Sequence, residues 1–150
     1  MEKNKKNLRF MSIVLLILAG LSLLSILFEL FFGELSDAFK GATLPEGATD
    51  NVILVAKIVI LAISLLLLLP QVYIGIKGIK IAKNPDNSKG HIVWGVILIV
   101  FTALGLGSPI AGLIQGSDIM GNIASLCSII VDICILYEYV SFARAVQKAV

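Results

Sequence analysis

The chain has 150 residues, 58% of them hydrophobic and 15% charged, with a mean hydropathy of +1.00 and a net charge of +2. A soluble domain carries about 45–50% apolar residues, so the surplus must face something other than water. The small net charge gives no electrostatic case for a nucleic-acid partner.

Four apolar segments are long enough to cross a bilayer, which takes about 20 residues: 10–32, 52–76, 92–114 and 119–142. A basic tail precedes the first span. A signal peptide is the other reading of this beginning, with Ser36-Asp37-Ala38 as a passable cleavage tripeptide. The apolar run from Met11 to Phe28 exceeds the roughly 7–15 residues of a signal peptide's core, so a retained span is favoured. An outer loop, 33–51, follows with Gly33, Gly41, Pro45 and Gly47; Leu35, Ala38 and Phe39 have the spacing of a short surface helix. After the second span an inner loop, 77–91, contains Asn84-Pro85-Asp86-Asn87-Ser88, which stops one helix and offers caps to the next. Gln115-Gly116-Ser117-Asp118 makes a tight turn into the fourth span. The expected fold is all-α, a single membrane-embedded four-helix bundle over residues 1–150.

Charge orients it. Lys3, Lys5, Lys6, Arg9, Lys77, Lys80, Lys83, Lys89, Arg144 and Lys148 fall on one side, and Lys40 alone on the other. Lys and Arg are retained in cytoplasmic loops, so both termini are expected in the cytoplasm. Tyr73, Trp94, Tyr137 and Tyr139 fall near the same interface, where amphipathic aromatic rings are favourable. Spans two and four end in similar runs, Tyr73 to Lys77 and Tyr139 to Arg144. These suggest either a duplicated hairpin or, the favoured reading, convergent interfacial composition.

Polar residues inside the spans are costly in hydrocarbon and therefore informative. Positions seven apart share a helix face. The rows are Lys57, Ser64, Gln71 and Gly78 in span two, and Asp118, Ser125, Asp132 and Tyr139 in span four, with Ser128 beside it. Span one has Ser22, Ser25 and Glu29; span three has Gly95, Thr102, Gly105 and Pro109. These stripes are expected to face inward. Asp132 lies mid-span at a depth like that of Ser64 and Thr102, which makes the three a candidate intramembrane polar site. It reads either as a proton or cation site or as a polar clasp fixing helix register, slightly in favour of the clasp. Glu29 and Lys57 match in depth near the outer ends of adjacent spans and make a candidate ion pair. Cys127 and Cys134 are a rise of about 10.5 Å apart on one helix, too far for a disulfide between them. They read as small core residues.

Pro70 is expected to kink span two. Pro109, in Gly105-Leu106-Gly107-Ser108-Pro109, either kinks span three or breaks it, with Ser108 pushed from helical angles. Ser108, Gly112 and Gly116 form a small-xxx-small pattern suited to close helix packing. A single histidine, His91, at the membrane edge and the absence of Cys-x-x-Cys, phosphate-loop or dinucleotide motifs argue against a catalytic triad, a metal site or a bound cofactor.

Gly75-Ile76-Lys77-Gly78-Ile79-Lys80, then Asn84-Pro85-Asp86 and His91-Ile92-Val93-Trp94-Gly95, resemble segments of small uncharacterised bacterial four-span membrane proteins. The resemblance covers a short stretch and implies the same architecture and no activity. The small multidrug transporters do not fit, because their essential glutamate lies midway along the first span and Glu29 lies near its end. The expected function is non-enzymatic: a scaffold, accessory or partner-binding membrane protein. Its partners would be the bilayer and another membrane protein or a second copy. The alternative is a small oligomeric transporter or channel using Asp132.

Overall fold

The computed structural model describes residues 2–32, 50–86 and 88–149. The expected outer loop and its short surface helix lie outside them. The described residues are all-α, without strands: α1 (Glu2–Phe32), α2 (Asp50–Lys83), α3 (Gly90–Leu104), α4 (Gly107–Ile114) and α5 (Ile119–Gln147). With α3 and α4 taken as one rod over Gly90–Ile114, four helical stretches are long and apolar enough to cross a membrane. The helices overrun the apolar segments at the basic ends. α1 starts in the Lys-rich tail, and α2 and α5 continue to Lys83 and Gln147, because Lys, Arg, Gln and Ala are good helix formers that water solvates without breaking the backbone ladder.

The chain groups into two compact units, one of residues 1–16 and 70–150, the other of residues 17–69. α2 runs through Pro70 without interruption, and the boundary crosses α2 at that residue. The first unit holds the core: Leu8 and Leu15 of α1, Ile74, Ile81 and Ala82 of α2, Ile92 of α3, and Leu136, Tyr139, Val140, Ala143 and Val146 of α5. Leu8, Ile81, Ile92 and Val146 bring the start of α1, the end of α2, the start of α3 and the end of α5 to one end of that unit. In the second unit Leu21, Leu24 and Phe28 of α1 and Val55, Ile58 and Ile63 of α2 are exposed.

The third rod is tightened rather than broken. Gly105 and Leu106 keep right-handed helical dihedrals; the Gly105 N–H is shared between the Phe101 and Thr102 carbonyls, and the Leu106 N–H bonds three residues back, to Ala103. The cause is Pro109. Its ring crowds the carbonyl four residues earlier, that of Gly105, and it offers no N–H to it. Ser108 is helical, against expectation, because α4 restarts at Gly107. Pro109 thereby falls in a first turn, where no intrahelical N–H bond is required.

The turn into α5 is a helix stop followed by a helix start. Gly116 takes φ +70°, the Ser117 N–H donates to the Gly112 carbonyl at 3.0 Å, and the Gly116 N–H donates to that of Leu113 at 3.1 Å. This is the Schellman closure, in which a left-handed residue turns the chain and satisfies the last carbonyls. Asp118, at φ 34°, then accepts the Gly121 N–H at 3.2 Å and caps α5. Asn122 lies over Gly112, and its side-chain amide donates to the Ser117 carbonyl at 2.5 Å. Gly116→Ala is expected to destabilise the protein by about 1–2 kcal/mol, the penalty of a Cβ at left-handed angles. Equilibrium unfolding in mild detergent checks it, and an unchanged midpoint would contradict the closure.

At the other connection Asp86, not a helix cap, organises the chain. Its carboxylate accepts the Ser88 N–H at 2.9 Å and pairs with Lys77 at 3.2 Å. The Ser88 N–H, with Lys77 beside it, holds Asp86 below the usual carboxylate range. Among the described residues of this segment, no side chain makes the expected cap. Lys89 occupies the N-cap of α3 without a side-chain hydrogen bond.

Candidate functional site

The polar chemistry of the first unit is concentrated where its helix ends converge. α1 brings Leu8, Ser12 and Leu15 to one face by steps of four and three residues. α2 brings Ile74, Gly78 and Ile81 by the same steps, and α5 brings Leu136, Tyr139, Val140, Ala143 and Val146. Tyr139 stands at the centre. It is fully buried, and its hydroxyl donates to the Ile74 carbonyl at 2.9 Å. In an α-helix that carbonyl also accepts the N–H four residues on, here Gly78. The missing side chain of Gly78 is what lets the ring approach. A Cβ there would lie against Ser12 Oγ and 2.7 Å from the Tyr139 ring. Gly95 of α3 gives Val140 similar room.

Ser12 is buried and turns its hydroxyl back on its own helix, donating to the Leu8 carbonyl at 2.7 Å. Gln71 donates to the Leu15 carbonyl at 3.4 Å, a long bond that ties α2 to α1 within this unit. His91, the second residue of α3, is fully buried and meets Tyr139 edge-on, with ring centres 6.3 Å apart and an 85° interplanar angle. Neither imidazole nitrogen makes a well-formed hydrogen bond to the described residues.

The polar stripes divide along their length. At the converging end they are inside, with Gly78, Gly95 and Tyr139 buried and Gln71 half-buried. Elsewhere Ser22, Ser25, Ser125 and Ser128 are exposed, against the expectation that each whole stripe faces inward. Cys127 and Cys134 are also exposed and unpaired, so they are not core residues. Their sulfurs are apolar enough for a lipid-facing surface, and no packing demand places them inside. Tyr139 departs from its expected interfacial role, whereas Tyr73, Trp94 and Tyr137 are exposed as interfacial rings would be.

Asp132 and Thr102 both belong to the first unit, on α5 and α3, and both are half-buried. α3 and α5 pack on each other, but no hydrogen bond joins these two side chains, and Asp132 has no hydrogen-bond partner among the described residues. Ser64, half-buried on α2, belongs to the second unit. Glu29 and Lys57 lie in α1 and α2, and their side chains are outside the described residues. Among the described residues no group of three or more His, Cys, Asp or Glu side chains could hold a metal ion.

Two buried polar residues, Ser12 and His91, escaped the sequence reading. Ser12 carried a signal, because it sits on the Leu8–Leu15–Ala19 face at helical spacing. His91 carried the weaker signal of lying four residues before Gly95 on the same face. No family model matches the chain, and neither a curated protein nor a solved structure does.

Proposed function

We propose that the chain is a non-enzymatic integral membrane protein with four spans and both termini in the cytoplasm, acting as a scaffold or accessory subunit through intramembrane contact with another membrane protein or a second copy. The observation that carries it is the state of Asp132. A carboxyl in mid-span costs about 2.5–3.5 kcal/mol on insertion scales, and this one has no hydrogen-bond partner among the described residues. On the same face of α5, Ser125 and Ser128 are exposed at steps of seven and four residues before it. Small and hydroxylated residues on an apolar helix suit close approach by a second helix, which would also supply a donor to Asp132.

Orientation is supported by the ten basic residues of the tails and inner loop against Lys40. The converging ends of α1, α2, α3 and α5 are the ends that carry them. Single cysteines at Ser36 and Ser88, in a chain lacking Cys127 and Cys134, test it with an impermeant thiol reagent on intact cells. Labelling of Ser36→Cys alone is expected; labelling of Ser88→Cys alone would reverse the topology.

Contact through α5 is tested by a photo-crosslinking residue at Ser128. A discrete adduct is expected in native membranes, retained in Asp132→Asn, which still hydrogen-bonds, and lost in Asp132→Leu. The second reading, a small oligomeric transporter or channel, is favoured by the same unpaired carboxyl. It requires Asp132→Asn to fold normally yet lose a proton- or cation-dependent flux in vesicles. An Asp132→Asn variant that keeps the adduct and an unchanged flux excludes it.

A further inference from the structure

His91 is used by nothing described so far. Its ring is fully buried at the first turn of α3, and neither nitrogen makes a well-formed hydrogen bond to the described residues. A neutral imidazole has one donor and one acceptor to satisfy, and leaving both unmade inside a packed core is costly. A core position that needed only a flat ring would hold Phe at less cost. The charged form is worse placed still. An imidazolium here would be desolvated by burial, in a helix's first turn, where the backbone dipole repels a cation.

The titratable groups around His91 are Asp86 of the connection, Lys77 of α2 and Tyr139 of α5, with the Tyr73 hydroxyl of α2 beside the neighbouring Gly90. Asp86 is the one attractive partner for a cation, and it is already engaged by Lys77 and the Ser88 N–H. In the closed arrangement the desolvation of a charged ring outweighs the help of Asp86 and the Ser88 backbone, whereas a short outward movement of the first turn of α3 would give the ring water.

We propose that His91 is a proton-binding site, and that a proton taken up on its ring releases the first turn of α3 from the core. The balance is simple: one proton from water adds to a ring nitrogen, and no bond to carbon changes. The sign follows from burial. The closed form holds His91 neutral, so closure is fully stable above the ordinary imidazole value of about 6.5. It weakens as pH falls below that value, where the opened form takes up the proton.

His91 is the sole histidine, so histidine-labelled full-length protein in lipid nanodiscs gives one imidazole signal whose nitrogen shifts report protonation directly. Amide hydrogen exchange over residues 90–95, corrected for the intrinsic effect of pH, reports release. From about pH 8 to about pH 5, spanning the imidazole range, we expect a neutral ring that becomes protonated. Exchange should rise about tenfold or more with the same midpoint. His91→Phe keeps a packed ring and should abolish that rise. The proposal is overturned if the ring stays neutral throughout, if it is protonated with no change in exchange, or if the rise persists in His91→Phe. Should His91→Phe fail to fold, coincidence or separation of the two wild-type midpoints decides.

Discussion

Tyr139→Ala is expected to cost about 3–5 kcal/mol of stability, the range for deleting a large aromatic side chain from a packed core. The residue is fully buried where α1, α2, α3 and α5 meet, with Gly78 and Gly95 shaped around it and His91 against its edge. Neighbours held by helix backbones cannot collapse into the vacated volume, so the lost contacts are not regained. Tyr139→Phe should cost only about 0.5–1.5 kcal/mol, the net worth of one ordinary hydrogen bond. It removes the donor to the Ile74 carbonyl, which keeps its intrahelical partner, so no buried group is orphaned. Reversible unfolding in detergent micelles or bicelles separates the two variants. Equal losses for Phe and Ala would mean that the hydroxyl, not the ring, holds this end together.

Adding one carbon at Gly78 should also be damaging, though less so than removing the ring. A Cβ at Gly78 would contact Ser12 Oγ and lie 2.7 Å from the Tyr139 ring. Neither neighbour can retreat freely. Ser12 Oγ is bonded to the Leu8 carbonyl at 2.7 Å, and the Tyr139 hydroxyl to the Ile74 carbonyl at 2.9 Å. Overpacking of this kind costs about 1–3 kcal/mol for a small addition, and more for Val than for Ala. Ser12→Ala combined with Gly78→Ala should recover part of the loss, because the first removes the atom that the second strikes. A double-mutant cycle then gives a favourable coupling above about 0.5 kcal/mol. Gly20→Ala is the internal contrast: a Cβ there meets nothing within 4 Å. Relief of glycine's helix penalty should stabilise α1 by up to about 1 kcal/mol. If Gly78→Ala is as harmless as Gly20→Ala, the close approach of α1, α2 and α5 is wrong.

The number, order and approximate limits of the long helices were legible in the sequence, because each is written by a local property. A run of about 20 apolar residues bounded by Gly, Pro, Asn or charge can form little else. The connections were legible only in outline. Asn84 to Ser88 was read as a stop and a cap, and it does stop α2, but Asp86 spends its carboxylate on Ser88 and Lys77. Three-dimensional proximity of Lys77, nine residues back along the chain, decides that choice. Pro109 announced an irregularity, and its form depended on whether the backbone could restart a helix at Gly107.

What the sequence determined by itself is the all-α character, four stretches fit to cross a bilayer, and the collection of basic residues in three segments. All follow from composition and period along one dimension. What only the tertiary structure decided is which residues of each stripe are inside. Seven-residue spacing places Ser125, Asp132 and Tyr139 on one face of α5, yet Ser125 is exposed, Asp132 half-buried and Tyr139 fully buried. Spacing fixes the direction a side chain points around its own axis. Burial depends on whether another helix comes close at that height, and the glycines at 78 and 95 permit that approach at one end only. His91 is the sharpest case: one letter at the head of an apolar run gains its meaning from Tyr139, 48 positions away, whose ring closes over it.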